Sequence, residues 1–416
     1  MTNDKRLTCG DRLSGRKLSH VALDALPPAP PAPAPPAPAP EREHADRISA
    51  LRQQMKTEGI AAVAAASPEN IYYLTGLDHL GYFAFTLLVI GATGQPVLVA
   101  RTMETPTIRA QVPWCRHLAY GDGDTPAGAA VTALAAAAPS GSTVALDEDS
   151  MFFPPAVAAA IRAARPGERR PSASSLLARQ RAVKSPAEVY RVRQAALVSD
   201  QAMAAGLAAA RPGASERAVA AGVYRTMIEA GGEPPGFPPL IRPVTRLDTE
   251  HVSWSGDGLL RPGTGLFFEL SASVRRYHAP QSRVVYLGHA PREAAGAAES
   301  ALAGLIAARD ALRPGTATGD VYAAWERVVG GAASGGPLRH HCGYLVGIGF
   351  PPSWVGGGEV LGIRPGGQTL IVPGMTFHLM SWVTRPAGHV ISDTVLVTAD
   401  GAELLTGTPR ELTVLD

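Results

Sequence analysis

Residues 211–213 and 313–315 both read Arg-Pro-Gly, 102 positions apart, and each string opens a helical stretch, through about Ala230 in one case and Val329 in the other. Two apolar strand signals follow each helix in the same order. Residues 265–270 correspond to 375–380, each after a Pro-Gly turn, and 283–287 correspond to 394–398. One Arg-Pro-Gly arises easily by chance in an alanine-rich chain, but three successive corresponding elements define an internal repeat. Two copies of a helix-then-strands unit pack around a pseudo-twofold axis, with their strands merged into one curved sheet that the helices back. The predicted pocket lies between the copies, lined from equivalent strand positions.

Ahead of the repeat the pattern changes. A helix is predicted from Arg47 through about Glu58, then an apolar strand over 61–65, the turn Ser67-Pro68-Glu69-Asn70, and strands over 84–90 and 96–100. Strands alternating with helices, such as that over 155–164, predict an α/β domain over residues 45–177, followed by an α+β domain over 178–416. Residues 27–40 read PPAPPAPAPPAPAP, which favours extended polyproline conformations and has no apolar payload to bury. Residues 1–44 are therefore expected to form a disordered or semi-rigid tail.

A chain of 416 residues with 46% hydrophobic content is long enough for two domains with sizeable cores. Its 38 basic and 36 acidic residues give a formal charge of +2 without a long run of either sign, so neither nucleic acid nor a membrane surface is expected as a partner. A small-molecule substrate is the expected partner class. Cys9, Cys115 and Cys342 are odd in number and far apart, which argues against a disulfide framework or a zinc knuckle and for a reducing cytoplasm. No run reaches the roughly 18 apolar residues of a membrane span.

Several strings resemble the creatinase/Xaa-Pro aminopeptidase superfamily: Asn70-Ile71-Tyr72-Tyr73-Leu74-Thr75-Gly76, Arg181-Ala182-Val183-Lys184-Ser185-Pro186-Ala187-Glu188, and Pro373-Gly374-Met375-Thr376-Phe377. The resemblance covers roughly residues 45–416 in order. It implies a creatinase-like α/β N-terminal domain, a C-terminal "pita-bread" domain, and a homodimer. Within the superfamily the chain looks like the metal-independent ectoine hydrolase branch. The strings that carry this are Phe267-Phe268-Glu269-Leu270, Arg276-Tyr277-His278-Ala279-Pro280-Gln281-Ser282-Arg283, the stretch from Gly343-Tyr344 to Ser353-Trp354, and Gly374-Met375-Thr376-Phe377-His378.

When the aminopeptidase pattern is laid on these strings, its five metal-ligand positions fall on Glu269, Pro280, Tyr344, Met380 and Ser392. Carboxylate-bridged metal pairs need oxygen and imidazole ligands converging on each ion, and one carboxylate in five cannot supply them. No metal or other cofactor is therefore expected. A carboxylate without dications prefers a cation, such as an amidinium, guanidinium or ammonium group. Hydrolysis of a C–N bond at an amidinium carbon needs a base for water, a counter-charge for the cation and an acid for the departing nitrogen.

The resemblance places the superfamily's active-site histidine at His251, and imidazoles titrate close enough to neutrality to shuttle protons. Glu269 interrupts an apolar run, so it is expected to meet a positive partner: it binds the cation, attacks the amidinium carbon as a nucleophile, or forms an ion pair with Arg283 or Arg275. His278 is a candidate proton donor, and Tyr344 offers a phenolic O–H where the metal histidine would be. Arg283, Phe377, His378, Asp393 and Trp354 are the candidate substrate contacts, with Arg283 suited to a substrate carboxylate and Asp393 to a second acidic role.

The chain departs from the branch after Pro351-Pro352. It reads Ser353-Trp354-Val355-Gly356 where ectoine hydrolases carry an Asp-Trp-Gly-Glu run, so two acids are missing. Three chemistries stay open: hydrolysis of ectoine, hydrolysis of another small amidine-like C–N substrate, and a cyclisation, dehydration or isomerisation in the same pocket. A binding protein without catalysis is the reading from another class. Retention of both His251 and Glu269 argues against it.

Overall fold

The computed structural model describes residues 40–249, 251–254, 258–330, 339–358, 360–384 and 387–416. The proline-rich run before residue 40 lies outside them. The first domain is built from α1 (Pro40–Glu58), β1 (Ala62–Ala65), α2 (Pro68–Thr75), β2 (Leu87–Gly91), β3 (Val97–Arg101), α3 (Thr105–Gln111), β4 (Arg116–Tyr120), α4 (Pro126–Ala137), β5 (Val144–Leu146), α5 (Pro155–Ala164) and α6 (Ala173–Ala182). Its sheet runs β4-β3-β2-β1-β5, mixing parallel and antiparallel pairs.

Both faces of this sheet are covered at its centre, which is why β1, β2 and β5 read as unbroken apolar runs, while the edge strand β4 is polar and partly exposed. Val63, Ala65, Leu88 and Ile90 pack on one side with Leu51, Met55 and Leu74. Ala62, Ala64, Leu87 and Val89 pack on the other with Leu134, Val157 and Ile161. Two expected boundaries shift. α1 starts at Pro40, and Glu43, placed in the expected tail, is buried in ion pairs with Arg47 and Arg191. Residue 177, the expected domain end, falls inside α6.

The second domain opens with α7 (Pro186–Ala209), whose start is written in the sequence. Ser185 Oγ accepts from the Glu188 amide, Glu188 accepts from the Ser185 amide, and Pro186 sits at the first helical position. The free side of the same Glu188 carboxylate accepts from Tyr277 Oη at 2.8 Å. The capping residue thereby fastens the domain junction to the sheet. Then follow α8 (Glu216–Glu229), β6 (Leu240–Pro243), β7 (Gly265–Val274), β8 (Tyr277–Leu287), α9 (Arg292–Ala311), α10 (Thr318–Val329), β9 (Gly343–Leu345), β10 (Gly362–Ile363), β11 (Thr376–Val383), β12 (His389–Thr398), β13 (Gly401–Leu404) and β14 (Thr413–Leu415).

The repeat is visible in the sheet order β10-β9-β11-β12-β8-β7-β6. Helix pair α7 and α8 precedes β7 and β8; helix pair α9 and α10 precedes β11 and β12. The halves β9-β11-β12 and β8-β7-β6 meet at a seam where Ser392 pairs with Ser282. Together they form the antiparallel pita-bread sheet, with the helices on its convex side. Side chains alternate across each strand. Phe268, Leu270, Val285 and Leu287 go to α7 and α8, and Phe377, Leu379, Ile391 and Val395 go to α9 and α10. Glu269, His278, Ser282, His378, Met380 and Ser392, one residue out of phase, go to the concave face.

Candidate active site

A pocket of about 400 Å³ opens on the concave face, with Glu269, Tyr344 and Met380 in its floor and Phe237, Trp354 and Trp382 as aromatic walls. His251 lies at its exposed rim, edge-on to Phe237 with ring centroids 5.9 Å apart. Its backbone sits at φ +57°, in the left-handed region that non-glycine residues rarely adopt. The loop that presents it is held from below by Arg242, which donates to the carbonyls of Arg246 (3.0 Å), Leu247 (3.3 Å) and Val252 (3.0 Å) and stacks on Phe267. Glu250, next to it, lies outside the described residues.

Tyr344, Trp354 and His378 form a directed chain. An indole N–H can only donate, so Trp354 Nε1 donates to Tyr344 Oη at 3.0 Å. The phenol's own proton then goes to His378 Nδ1 at 2.9 Å, which leaves Nε2–H to donate to Ser392 Oγ at 2.6 Å. Burial drives the His378 pKa down to about 3, with His341 adding to the effect. Glu269 Oε1 lies 3.9 Å from Nε2. An ion pair there would need a charged imidazole; burial keeps the ring neutral, and the contact is a polar one. Burial, and the Glu269 charge beside it, push the Tyr344 phenol well above its ordinary range, so it stays protonated.

The structure separates the other sequence candidates from the pocket. His278 is fully buried with both ring nitrogens occupied: Nε2 accepts from the Gly236 amide at 2.8 Å and Nδ1 donates to Arg276 O at 2.9 Å. Burial lowers its pKa to about 4, so it is a neutral fastener of the chain before β6. Arg283 faces the convex side. Its guanidinium donates to the carbonyls of Ser282, Ser392, Thr408 and Pro409 and to Asp393 Oδ1 at 2.9 Å, so no donor is left for a substrate carboxylate. Asp393, fully buried on that side, is taken by Arg283, Arg410 and Thr406 rather than by the pocket. Phe377 is core between β11 and the helices. Neither expected Glu269 ion pair, with Arg283 or with Arg275, is among the described contacts.

Arg339, His340, His341, Arg364 and Trp382 line the pocket and were not singled out from sequence. Trp382 was available from parity, two and four residues beyond Met380 and His378. The basic string Arg339-His340-His341, just before Gly343-Tyr344, carried a signal that the resemblance did not use. Arg339 lies over the Trp382 ring at 4.3 Å.

The five positions of the aminopeptidase ligand pattern all fall on the concave face, but only Glu269 offers an anionic oxygen. Pro280 and Met380 offer no hard donor, and Tyr344 and Ser392 are engaged by His378. Among the described residues no group of three or more His, Cys, Asp or Glu side chains is placed to hold a metal ion. The donor set does not fit a dinuclear centre.

A creatinase-like α/β domain followed by a duplicated, helix-backed half-barrel is the pita-bread architecture. The chain belongs to metallopeptidase family M24, whose pattern matches residues 190–399, after a creatinase/prolidase N-terminal domain matched over 47–183. Ectoine hydrolase of Halomonas elongata is 29% identical over 402 residues, covering 89% of this chain and 97% of that protein. An uncharacterized hydrolase/peptidase of Sinorhizobium fredii is 29% identical, covering 90% of this chain and 98% of that one. The fold is shared with a prolidase from Thermococcus sibiricus, with a TM-score of 0.80 at 20% identity over 89% of this chain and 99% of the other. No helix among the described residues is long and apolar enough to cross a membrane.

Proposed function

We propose that the pocket hydrolyses a non-peptide C–N bond in a small cationic metabolite, a cyclic amidine or a relative of one, without a metal ion. The observation that carries this reading is Glu269: it is the one carboxylate among the described residues lining the pocket, set among aromatic walls. An anion beside aromatic side chains suits a delocalised cation, and Arg242, Arg339 and Arg364 on the same lining suit an anionic group of that molecule. The electron-poor amidinium carbon accepts water directly, so the missing dinuclear centre is not needed for polarisation.

His251 takes the proton from the attacking water and returns it to the departing nitrogen, Glu269 holds the cation or adds to its carbon, and Tyr344, its O–H held by His378, fixes the Trp354 wall. A C–O bond forms, the C–N bond breaks, and the proton ends on nitrogen. His378 acts through Tyr344, fixing the phenol's direction. The resemblance to ectoine hydrolase makes ectoine the first substrate to try and a homodimer the expected assembly. Ring closure, dehydration or isomerisation is the second reading, favoured by Ser353 and Gly356 standing where ectoine hydrolases carry acids.

The test is incubation with ectoine, creatine and dipeptides with proline second, with and without chelator, in water enriched in ¹⁸O. Chelator-resistant turnover that places one ¹⁸O in the product, and that is lost in both His251→Ala and Glu269→Gln while the fold persists, is the expected result. Metal-dependent cleavage of dipeptides overturns it. Turnover without ¹⁸O selects the second reading.

A further inference from the structure

The Trp354 wall is gripped from behind by the N-terminal domain. Tyr82 Oη donates to Pro351 O at 2.9 Å, and the Met151 amide donates to Gly357 O at 3.1 Å. Gly357 lies so close to Phe152 that a Cβ would meet the ring at 2.5 Å. Gly356, at φ +87°, packs on Glu69, where a Cβ would sit 3.1 Å from the carboxyl carbon. Two glycines in a row are what let the loop approach so closely. Trp354 and Val355 also line a second cavity, of about 40 Å³, on the side away from the pocket. The wall is thus a thin partition with space behind it.

Glu69 is the unusual member of this grip. Its side chain is 1% exposed, and neither carboxyl oxygen has a hydrogen-bond partner. The Gly357 amide faces it without reaching hydrogen-bond geometry. Buried polar groups are nearly always paired, and an unpaired carboxylate is costly. We propose that Glu69 is a positioning residue that couples the N-terminal domain to the Trp354 wall, holding the glycine loop while protonated and releasing it once ionised.

The surrounding charges come from each packed element. Arg181 of α6, bound to Asn70 Oδ1 at 2.6 Å, favours the anion; Asp147, after β5, disfavours it; Tyr82 faces from the turn after α2. Glu359 of the loop itself lies outside the described residues. Burial outweighs Arg181 and lifts the Glu69 pKa to about 7. A neutral carboxylic acid has no charge to solvate, whereas an ionised carboxylate with neither oxygen paired has to draw water into the packed loop. Release then frees Trp354 from one side only, since Tyr344 still accepts its N–H.

This coupling stands apart from the chemistry proposed above, while its effect on turnover rests on that reading. The test is hydrogen exchange of the loop amides at 356–358 in the full chain between pH 5.5 and 8.5, corrected for intrinsic exchange. Wild type is expected to lose about thirtyfold of its protection between pH 5.5 and 8.5, most of it below pH 7 with a plateau above, and Glu69→Gln, neutral at every pH, to stay flat. A flat wild-type profile overturns the proposal without any variant, and so does an unchanged pH step in Glu69→Gln. Phe152→Leu, which loosens the grip without touching the carboxyl, is expected to lower protection throughout and keep the step; loss of the step in that variant also overturns it. With a substrate that turns over, the step is expected in KM and not in kcat. Failure of the catalytic reading leaves the exchange experiment unaffected.

Discussion

Tyr344→Phe removes one oxygen and leaves the ring, so its effect isolates the directed chain from Trp354 to Ser392. Two hydrogen bonds disappear, one from Trp354 Nε1 and one to His378 Nδ1. Each is worth about 1 kcal/mol net, and leaving a buried donor and a buried acceptor without partners raises the total to about 2–4 kcal/mol. Trp354→Phe removes only the first bond and frees the phenol oxygen of one donor, for about 1 kcal/mol plus lost packing. Because both variants delete the same bond, the double variant is expected to cost about 1 kcal/mol less than the sum. The assay is urea denaturation followed by far-ultraviolet circular dichroism on the four proteins. Full additivity, or a Tyr344→Phe cost below about 0.5 kcal/mol, would refute the chain as drawn.

Arg242→Met keeps the apolar stem but drops three carbonyl contacts; the loop carrying His251 is expected to become cleavable by trypsin at Arg246, with the protein still folded. Protection unchanged from wild type would show that the loop is held by other means. Asp393→Asn leaves Arg283 and Arg410 without their anion and is expected to cost about 3–5 kcal/mol of stability, while ligand affinity of the folded fraction stays at the wild-type value. A selective loss of affinity would return Asp393 to the site. His278, His378 and His389 are held neutral by burial, with pKa values of about 4, 3 and 4. The unfolded chain takes up protons below pH 6.5 while the folded chain does not, so stability falls from pH 6.5 toward pH 4. The loss is on the order of 2 kcal/mol per histidine by pH 5. Stability that is level between pH 7 and pH 5 would contradict this.

The repeat was legible because Arg-Pro-Gly, the strand pairs and the Pro-Gly turns are local signals that the fold uses as written. The long helices α7 and α9 were not read as repeat members, since alanine-rich stretches contrast weakly between faces. At the site, the strands were found and their faces were not. Arg283, Phe377 and Asp393 lie in the right strands, each one residue out of phase with the pocket floor, beside Ser282, His378 and Ser392. A one-residue step reverses the face, and only the pairing of β8 with β12 fixes it. His278 has the right phase, but both its nitrogens are spent on backbone, which no string reveals. Trp382 shares the parity of His378 and Met380 on β11, whereas Arg339, outside the strands, reaches the pocket by lying over the Trp382 ring.

The Arg283 bolt has a consequence for how such a protein changes over time. The two halves meet at one strand pair, and two of the five Arg283 guanidinium contacts, to Ser392 O and Asp393 Oδ1, cross that seam from the convex side. The join between halves is therefore carried by residues that never meet a ligand. Positions 269, 280, 344, 380 and 392, facing the other way, are relieved of that duty. Side-chain substitution there leaves every Arg283 contact in place, so the pocket lining can be altered without cutting the seam.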